Sequence, residues 1–224
     1  MSIESDARFW DRTSRKYARS AISDQAGYER TLERTRALLG SGDRVLELGC
    51  GTGTTALRLA GAVQAYLATD VSAGMIAIAN EKHTARPIPA LVFRAATAEA
   101  LTPEAKPFNA VLGFNYLHLV RDLPGTLRRI HALLVAEGLF ISKTPCVGEM
   151  NAFIRSALLP AMQAIGKAPY VSAFRATELS QQIGAAGFDI VAVEGHSSKD
   201  KGRRPYIVAQ KVSCRGLLKP APAG

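Results

Sequence analysis

Short apolar runs of strand length alternate along this chain with segments of helix length, and this alternation restricts the fold more than any other feature. Helical patterns at residues 54–61, 73–83 and 123–135 separate the apolar runs. Successive strands joined by helices pack as parallel neighbours with helices on both faces of the sheet. The pattern therefore predicts an α/β fold with a doubly wound, mostly parallel sheet. Its first five strands are predicted at residues 44–48, 65–69, 90–95, 110–114 and 139–143.

Both ends of the chain add to this sheet. A helical region over residues 6–39 precedes the first strand, and two strand-like runs, 188–195 and 205–212, follow the fifth. Because a basic loop and no helix joins these two runs, they should pair antiparallel, which gives a seven-stranded sheet. The predicted plan is a single domain over residues 1–212 with a helical cap at 1–40, a helical insert at 146–176 and a flexible tail at 213–224.

Composition and cysteine usage restrict the class of protein. Of the 224 residues 47% are hydrophobic, and the N-terminal segment is polar. No uncharged apolar run reaches the length of about eighteen residues expected of a membrane span, so we predict a cytoplasmic protein without a signal peptide or transmembrane segment. The three cysteines are widely spaced, which argues against disulfides, and neither they nor the four histidines show metal-ligand spacing. No metal is predicted.

Much of the net charge of +9 lies near the C-terminus, where the segment 196–224 has seven Lys or Arg and one acid and includes the basic loop at 199–204. Such a loop can meet nucleic acid, an anionic lipid surface or an acidic substrate. The alternative is a solvated loop without a partner, and the absence of interleaved aromatic residues favours this alternative. We therefore expect no nucleic-acid partner, and contact with anionic lipid stays the weaker alternative.

Three glycines in five residues follow the first predicted strand in the sequence GCGTG. In a doubly wound sheet, the turn from the first strand into the first helix lines the ligand site. Gly49, Gly51 and Gly53 lack Cβ atoms, so they permit positive φ and close approach of a ligand, and the following helix favours an anionic group. The alternative is a tight turn without a ligand, for which one glycine is usually enough. A small ligand with an anionic end is expected.

Two acidic residues narrow the choice of ligand. Asp70 ends the second predicted strand, where a carboxylate can accept both ribose hydroxyls of an adenosine ligand. The segment GTGTTA also satisfies the dinucleotide pattern G-x-G-x-x-[GA], so an NAD-dependent oxidoreductase stays an alternative. Glu47 lies two residues before the first glycine, where its carboxylate would repel a pyrophosphate and favour a ligand that carries an ammonium group.

Four segments together resemble a known family. They are VLELGCGTG, ATDVSAGMIAIA, FNAVLGFNYLHLV and HALLVAEGLFISK. At these separations they resemble the motifs of class I S-adenosylmethionine-dependent methyltransferases, particularly the small-molecule branch similar to ubiquinone and menaquinone methyltransferases. The resemblance covers residues 40–145 and implies a Rossmann-like fold, S-adenosylmethionine as cofactor, S-adenosylhomocysteine as product and a small-molecule methyl acceptor. The opening FWDRTSRKYARS resembles the helix that closes over the cofactor in this branch.

The resemblance also implies roles for individual residues. Glu47 would orient the amino group of the methionine portion, Asp70 would hold the ribose, and Val71 and Met75 would flank the adenine. Thr97 stands where the family usually has an acid that accepts from the adenine amino group. The residues that the resemblance places around the cofactor are Tyr17, Glu47, Gly49, Cys50, Gly51, Gly53, Asp70, Val71, Met75, Thr97, Ala98 and Asn115.

Methyl transfer requires mainly that a nucleophile attack the sulfonium methyl in line with the leaving sulfur. A general base adds about 10²- to 10⁴-fold for a hydroxyl or enol nucleophile. His118, with Tyr116 beside it, is the best candidate for that base, and its alternative role is helix capping or core packing. Tyr17 can offer its aromatic face to the sulfonium, or it can simply pack against the sheet. The catalytic candidates are therefore His118, Tyr116 and Tyr17.

The insert after the fifth strand is the main candidate for choosing the acceptor. It is apolar along one helical stripe, so it is either a lid over a hydrophobic or aromatic acceptor or an ordinary packed helix. A non-catalytic module that binds a cofactor or nucleic acid is a third alternative for the whole chain. The apolar side chains of the insert are Met150, Phe153, Ile154, Leu158, Leu159, Met162 and Ile165.

Overall fold

Seven strands form one sheet in the computed structural model, which describes residues 2–102, 106–149, 159–164, 166–198 and 204–212. The strand order is β3-β2-β1-β4-β5-β7-β6, and every pair is parallel except those that β7 makes with β5 and β6. The predicted antiparallel pairing of the last two strands is confirmed. The strands are β1 Arg44–Leu48, β2 Ala65–Asp70, β3 Leu91–Ala95, β4 Phe108–Phe114, β5 Leu134–Lys143, β6 Phe188–Gly195 and β7 Pro205–Lys211.

Helices flank the sheet and precede it. The described α-helices are α1 Ile3–Arg19, α2 Gln25–Leu38, α3 Ala56–Leu59, α4 Ala73–Ala85, α5 Leu123–Leu133, α6 Leu159–Ala164 and α7 Ala176–Ala185. The predicted helix at 54–61 is shorter, because the glycine and threonine turn extends to residue 55 and a 3₁₀ turn, Ala60–Ala62, completes the segment. Helix α7 lies in a stretch for which the sequence analysis predicted no helix.

The predicted N-terminal helical region divides into α1 and α2 at residues 20–24. Asp24 begins α2 by accepting a hydrogen bond from the N–H of Gly27 at 3.0 Å. Helix α1 is held against the start of α4, where Asp11 Oδ1 accepts from Ser72 Oγ at 2.6 Å and from the N–H of Gly74 at 2.9 Å. Helix α1 therefore packs on α4, next to the end of β2.

Helix α2 is tied to the antiparallel end of the sheet. Arg34 forms an ion pair with Glu194 of β6 at 2.9 Å, and Arg30 donates to the carbonyl oxygen of His196. The hydroxyl of Thr35 contacts that of buried Tyr206 in β7 at 3.0 Å. Since α1 is fixed near β2 and α2 near β7, the segment between them crosses the carboxyl edge of the sheet.

The central strands are buried on both faces, as their nearly continuous apolar sequences predict. Two groups of buried side chains lie on the two faces, one including Leu46 and Val111, the other Val45 and Leu112. Several residues singled out in the sequence lie outside the described part of the chain: Met150, Phe153, Ile154, Leu158, Ile165, Cys214, most of the basic loop and the tail at 213–224.

Candidate functional site

A cavity of about 790 Å³ lies at the carboxyl edge of the parallel strands. Ligand pockets commonly measure roughly 300–1,000 Å³, so this one can hold a cofactor-sized molecule. The turn after β1, the end of β2 and the residues after β3, β4 and β5 line it, and α1 and α2 complete the wall. The sequence-predicted site residues found in the lining are Tyr17, Glu47, Gly49, Cys50, Gly51, Asp70, Val71, Met75, Thr97, Ala98, Asn115, Tyr116 and His118.

The three glycines of the turn all have positive φ, at 69° for Gly49, 54° for Gly51 and 74° for Gly53. They differ in what surrounds them. A Cβ on Gly49 would meet the ring of Tyr116 at 2.7 Å, whereas a Cβ on Gly51 would meet only Tyr17, at 3.6 Å. Of the three, Gly51 therefore leaves the most room for a ligand.

Gly53 is not part of the cavity lining, although it was expected there. A Cβ at this position would lie 2.6 Å from Phe93 Cζ and 3.0 Å from the Cβ of Ala79. Gly53 is buried against β3 and α4, so its lack of a side chain serves packing. The sequence could not distinguish this purpose from close approach of a ligand, because both require glycine.

The backbone N–H groups of the glycine turn are largely used within the protein. The N–H of Gly51 donates to Asp70 Oδ2 at 2.9 Å, that of Cys50 to the carbonyl of Thr69, and that of Gly53 to the carbonyl of Cys50. These three groups are therefore not free to bind an anion, and an anionic group of a ligand would have to meet the N–H groups at the start of α3. The turn provides space next to the strand ends, and the acidic side chains around it provide the charge.

The carboxylate of Asp70, at the end of β2, accepts hydrogen bonds from two backbone N–H groups. Its Oδ1 accepts from the N–H of Ser72 at 2.9 Å, and its Oδ2 accepts from Gly51. Burial raises the pKa of Asp70 above its usual value, and the two backbone hydrogen bonds act in the opposite direction. Each oxygen keeps further acceptor capacity, because a carboxylate oxygen can accept more than one hydrogen bond.

Glu47 is a buried acid at the cavity wall. Its side chain is almost inaccessible, and its Oε2 accepts a hydrogen bond from the hydroxyl of buried Tyr66 at 2.8 Å. Burial raises the pKa of Glu47 to about 8, and the nearby Asp70 carboxylate adds to the shift. A buried acid of this kind is stabilised as a carboxylate when a cation is placed beside it.

The segment after β3 lies opposite the glycine turn. Thr97 and Ala98 line the cavity there, and Thr97 Oγ1 accepts from the N–H of Ala100 at 3.2 Å. Glu99 also lines the cavity, where its Oε1 accepts from Thr126 Oγ1 at 2.8 Å. The sequence analysis assigned Glu99 no role.

The segment after β4 brings Asn115, Tyr116 and His118 to the middle of the cavity. Asn115 has a φ of 51°, which asparagine tolerates better than most residues, and this conformation turns the chain at the strand end. His118 Nδ1 lies 2.9 Å from Thr144 Oγ1. Burial, with a smaller effect from the Arg204 cation, lowers the pKa of His118 to about 4, so its imidazole is neutral at pH 7.

Tyr17 and Arg121 connect α1 to the cavity. Tyr17 is half exposed and makes an edge contact with Trp10, with ring centroids 6.1 Å apart. Arg121 forms two hydrogen bonds to Asp6 of α1, at 2.8 and 2.9 Å, and its guanidinium lies 4.3 Å from the ring centroid of Tyr170. Asp6 and Arg121 both line the cavity, and sequence reasoning missed them because their pairing spans more than a hundred residues.

Comparisons with known proteins agree with this architecture. A sequence model of the family described as Methyltransferase domain matches residues 16–193. The chain belongs to the methyltransferase domain family. The resemblance stated from the four sequence segments and the predicted fold class are both confirmed.

Two curated relatives are each about one third identical to the chain. The arginine-hydroxylase NDUFAF5 of Danio rerio is 32% identical over 153 residues, which cover 66% of this chain and 46% of that protein. The ubiquinone biosynthesis O-methyltransferase of Methylocella silvestris is 33% identical over 131 residues, which cover 57% of this chain and 49% of that protein. The chain thus spans just under half the length of these two relatives.

A solved structure described as a DhpI–SAH complex shares the fold with a TM-score of 0.73 at 23% identity, and the match covers 94% of this chain and 97% of that one.

Within the described residues, no group of three or more His, Cys, Asp or Glu side chains is placed to hold a metal ion. Among the described helices, none combines the length and the apolar character needed to cross a membrane.

Proposed function

We propose that this chain transfers a methyl group from S-adenosylmethionine to a small-molecule acceptor. The observation that supports the proposal most strongly is the meeting of Glu47, Asp70 and Gly51 in one cavity at the edge of a methyltransferase-family sheet. Asp70, fixed by two backbone N–H groups, would accept the ribose hydroxyls. Glu47 would pair with the amino group of the methionine portion, and Val71 and Met75 would contact the adenine.

The proposed chemistry relies on alignment. The acceptor nucleophile forms a bond to the methyl carbon as the bond from that carbon to sulfur breaks, and neutral S-adenosylhomocysteine is the leaving group. Orientation at near-attack distance contributes on the order of 7–11 kcal/mol in favourable cases. We propose that His118, which is neutral at pH 7, accepts the proton that the acceptor loses, with Tyr116 and Tyr17 beside the reacting groups.

The cavity favours this cofactor over NAD. Backbone N–H groups bind the pyrophosphate of a dinucleotide, and three of those in the turn, of Cys50, Gly51 and Gly53, are already used. The carboxylate form of Glu47 at the end of β1 would repel a pyrophosphate, whereas it attracts the ammonium group of S-adenosylmethionine. The domain boundaries, the lid role of residues 146–176 and the cytoplasmic location stay predictions.

Calorimetric titration with S-adenosylmethionine, S-adenosylhomocysteine and NAD in parallel tests the proposal. We expect saturable binding of the two sulfur compounds and none of NAD at the same concentrations. Transfer of a labelled methyl group from S-adenosylmethionine to one compound of a small-molecule extract would then establish turnover. Binding of NAD without either sulfur compound would make the oxidoreductase alternative correct.

The affinity for S-adenosylmethionine is expected to rise with pH between pH 6 and 7.5. In the unliganded protein the pKa of Glu47 is raised to about 8, so the acid is mostly protonated in this window, and only its carboxylate form pairs with an ammonium group. Binding must therefore release a proton, and the dissociation constant should fall by up to about tenfold per pH unit. Titrations at several pH values, each in two buffers with different ionisation enthalpies, measure both effects.

The matched variants for this experiment are Glu47→Gln and Glu81→Gln. Glutamine at position 47 cannot titrate, so the pH dependence of binding should disappear, whereas the exposed Glu81 on α4 should leave it unchanged. A dissociation constant that does not vary between pH 6 and 7.5 in the unsubstituted protein would show that Glu47 does not pair with the cofactor amino group.

A further inference from the structure

The charged side chains around the cavity are separated along the sheet. Glu47, Asp70 and Glu99 lie at or just beyond the ends of β1, β2 and β3, whereas Lys143 ends β5 and Arg204 directly precedes β7. Because neighbouring strands are roughly 4.8 Å apart, three strand spacings place about 14 Å between β2 and β5. The cavity is therefore acidic on one side and basic on the other, with β4 between them.

Lys143 has no acidic partner among the described ion pairs. Its Nζ donates to Thr31 Oγ1 at 2.7 Å and to the carbonyl oxygen of Gly27 at 3.2 Å, both neutral acceptors. An ammonium group has three N–H donors, so these contacts leave capacity for one more acceptor. Burial lowers the pKa of Lys143 from its usual value, as expected for a cation that lacks full compensation.

Asp24 is the carboxylate that lines the basic side of the cavity, and it accepts hydrogen bonds from two backbone N–H groups. Asp24 Oδ1 accepts from the N–H of Gly27 at 3.0 Å, and its Oδ2 accepts from the N–H of Ser198 at 2.8 Å. These hydrogen bonds hold the pKa of Asp24 well below its usual range. Asp24 thus stabilises the start of α2. Its charge partly offsets the effect of burial on the pKa of Lys143, but among the described residues no ion pair joins its carboxylate to Lys143 or Arg204.

Arg204 is the second cation on the basic side. It is exposed at the cavity mouth, and none of the described residues forms a hydrogen bond or an ion pair with it. Its charge reaches the middle of the cavity, since it contributes to the lowered pKa of His118. Tyr28, Leu32 and Phe114 also line the cavity and give the wall apolar surface.

We infer that the methyl acceptor carries an acid group, a carboxylate or a phosphate, which Lys143 and Arg204 bind on the side of the cavity opposite the cofactor carboxylates. This inference rests on the proposed methyl transfer, because the acidic side must be occupied by a cationic cofactor. A bidentate anion satisfies the remaining donor of Lys143 and the guanidinium of Arg204 together. The rest of the acceptor would lie against the apolar wall, with its nucleophile towards His118.

An acceptor with an acid group would also change the pKa of His118, the proposed base. An anion beside Arg204 offsets the positive charge near His118, which is the smaller of the two effects that lower its pKa, so the pKa of His118 rises while the larger effect of burial remains. A base whose pKa lies closer to the operating pH accepts a proton more effectively.

The test measures binding of matched acid and neutral probes to the protein saturated with S-adenosylhomocysteine. The pairs are 4-hydroxybenzoate with its amide, 4-hydroxyphenylacetate with its amide, and 4-hydroxyphenylphosphonate with its dimethyl ester. We expect at least one acid to bind about tenfold or more tightly than its neutral partner, as charge-assisted hydrogen bonds predict. The carboxylate and phosphonate arms show which of the two acid groups the site prefers.

Lys143→Met and Arg204→Met should each reduce that preference several-fold, and Arg86→Met, which removes an equal charge at the exposed end of α4, should preserve it. Arg204 is exposed, so its variant tests the inference even where loss of Lys143 disturbs α2. The inference is wrong when no acid binds more tightly than its neutral partner, and this includes the result that no probe binds. It is also wrong when both Lys143→Met and Arg204→Met keep the preference for the acid. Failure of S-adenosylhomocysteine to bind in the same samples would instead overturn the proposed function.

Discussion

Replacing Asp70 with alanine is expected to weaken S-adenosylmethionine binding about 100-fold or more. The proposed role of this carboxylate is to accept both ribose hydroxyls, and each hydrogen bond to a charged group contributes about 1.5–3 kcal/mol. Two such bonds correspond to a change in dissociation constant of roughly two to four orders of magnitude. The variant also removes the acceptor that orients the N–H of Gly51, so the glycine turn loses part of its support.

Calorimetric titration of the wild-type protein, Asp70→Ala and Asp70→Asn measures this effect. Asparagine keeps one acceptor oxygen, so its loss should be intermediate, about tenfold. Asp189→Ala is the matched control, because Asp189 lies exposed on the edge strand β6, away from the cavity. A folded Asp70→Ala protein that binds as tightly as the control would show that the ribose does not lie at the end of β2.

Replacing Gly53 with alanine is expected to lower the free energy of unfolding by about 2–5 kcal/mol. The new Cβ would lie 2.6 Å from the ring of Phe93, and overpacking of a buried site costs roughly 1–3 kcal/mol. The φ of 74° adds to this cost, because a residue with a Cβ is disfavoured in the left-handed region by about 1–2 kcal/mol. Urea unfolding monitored by circular dichroism measures the change.

Gly61→Ala is the control for this substitution. A Cβ there meets no atom within 4 Å, and Gly61 does not have a positive φ, so we expect a change within about 1 kcal/mol. Adding Phe93→Leu to Gly53→Ala should recover part of the lost stability, since the smaller side chain relieves the contact. Gly53→Ala with unchanged stability would contradict the assignment of this glycine to packing.

The positions of the strands and of the main acidic residues could be predicted from the sequence. Strand β1 was predicted with its observed bounds, because its apolar run is flanked by polar residues and glycine. Asp70 was placed at the end of a strand because it directly follows the apolar run at 65–69. Strand β5 is longer than predicted, because it begins at Leu134, before an irregularity in its pairing with β4 at which Glu137 has a φ of 62°.

The residues that the sequence analysis missed are those whose partners are distant in the chain. Arg121 meets Asp6 across 115 positions, and Lys143 meets Thr31 across 112. Neither pair has a local pattern, since their spacing reflects how α1 and α2 fold over the sheet edge. Glu47 differs, because its position was predicted but its burial and its hydrogen bond to Tyr66 depend on the neighbouring strand.

The sequence by itself determined the parallel sheet, the glycine turn and the acids beside it, because strand periodicity and short motifs are local properties of the chain. The tertiary structure alone decided that Gly53 serves packing, that three N–H groups of the turn are already engaged, and that Lys143 and Arg204 share a cavity with Asp70. These features depend on which strand ends lie side by side and on what each backbone group contacts. Both follow from long-range packing and hydrogen bonding, which leave no periodic signal in the sequence.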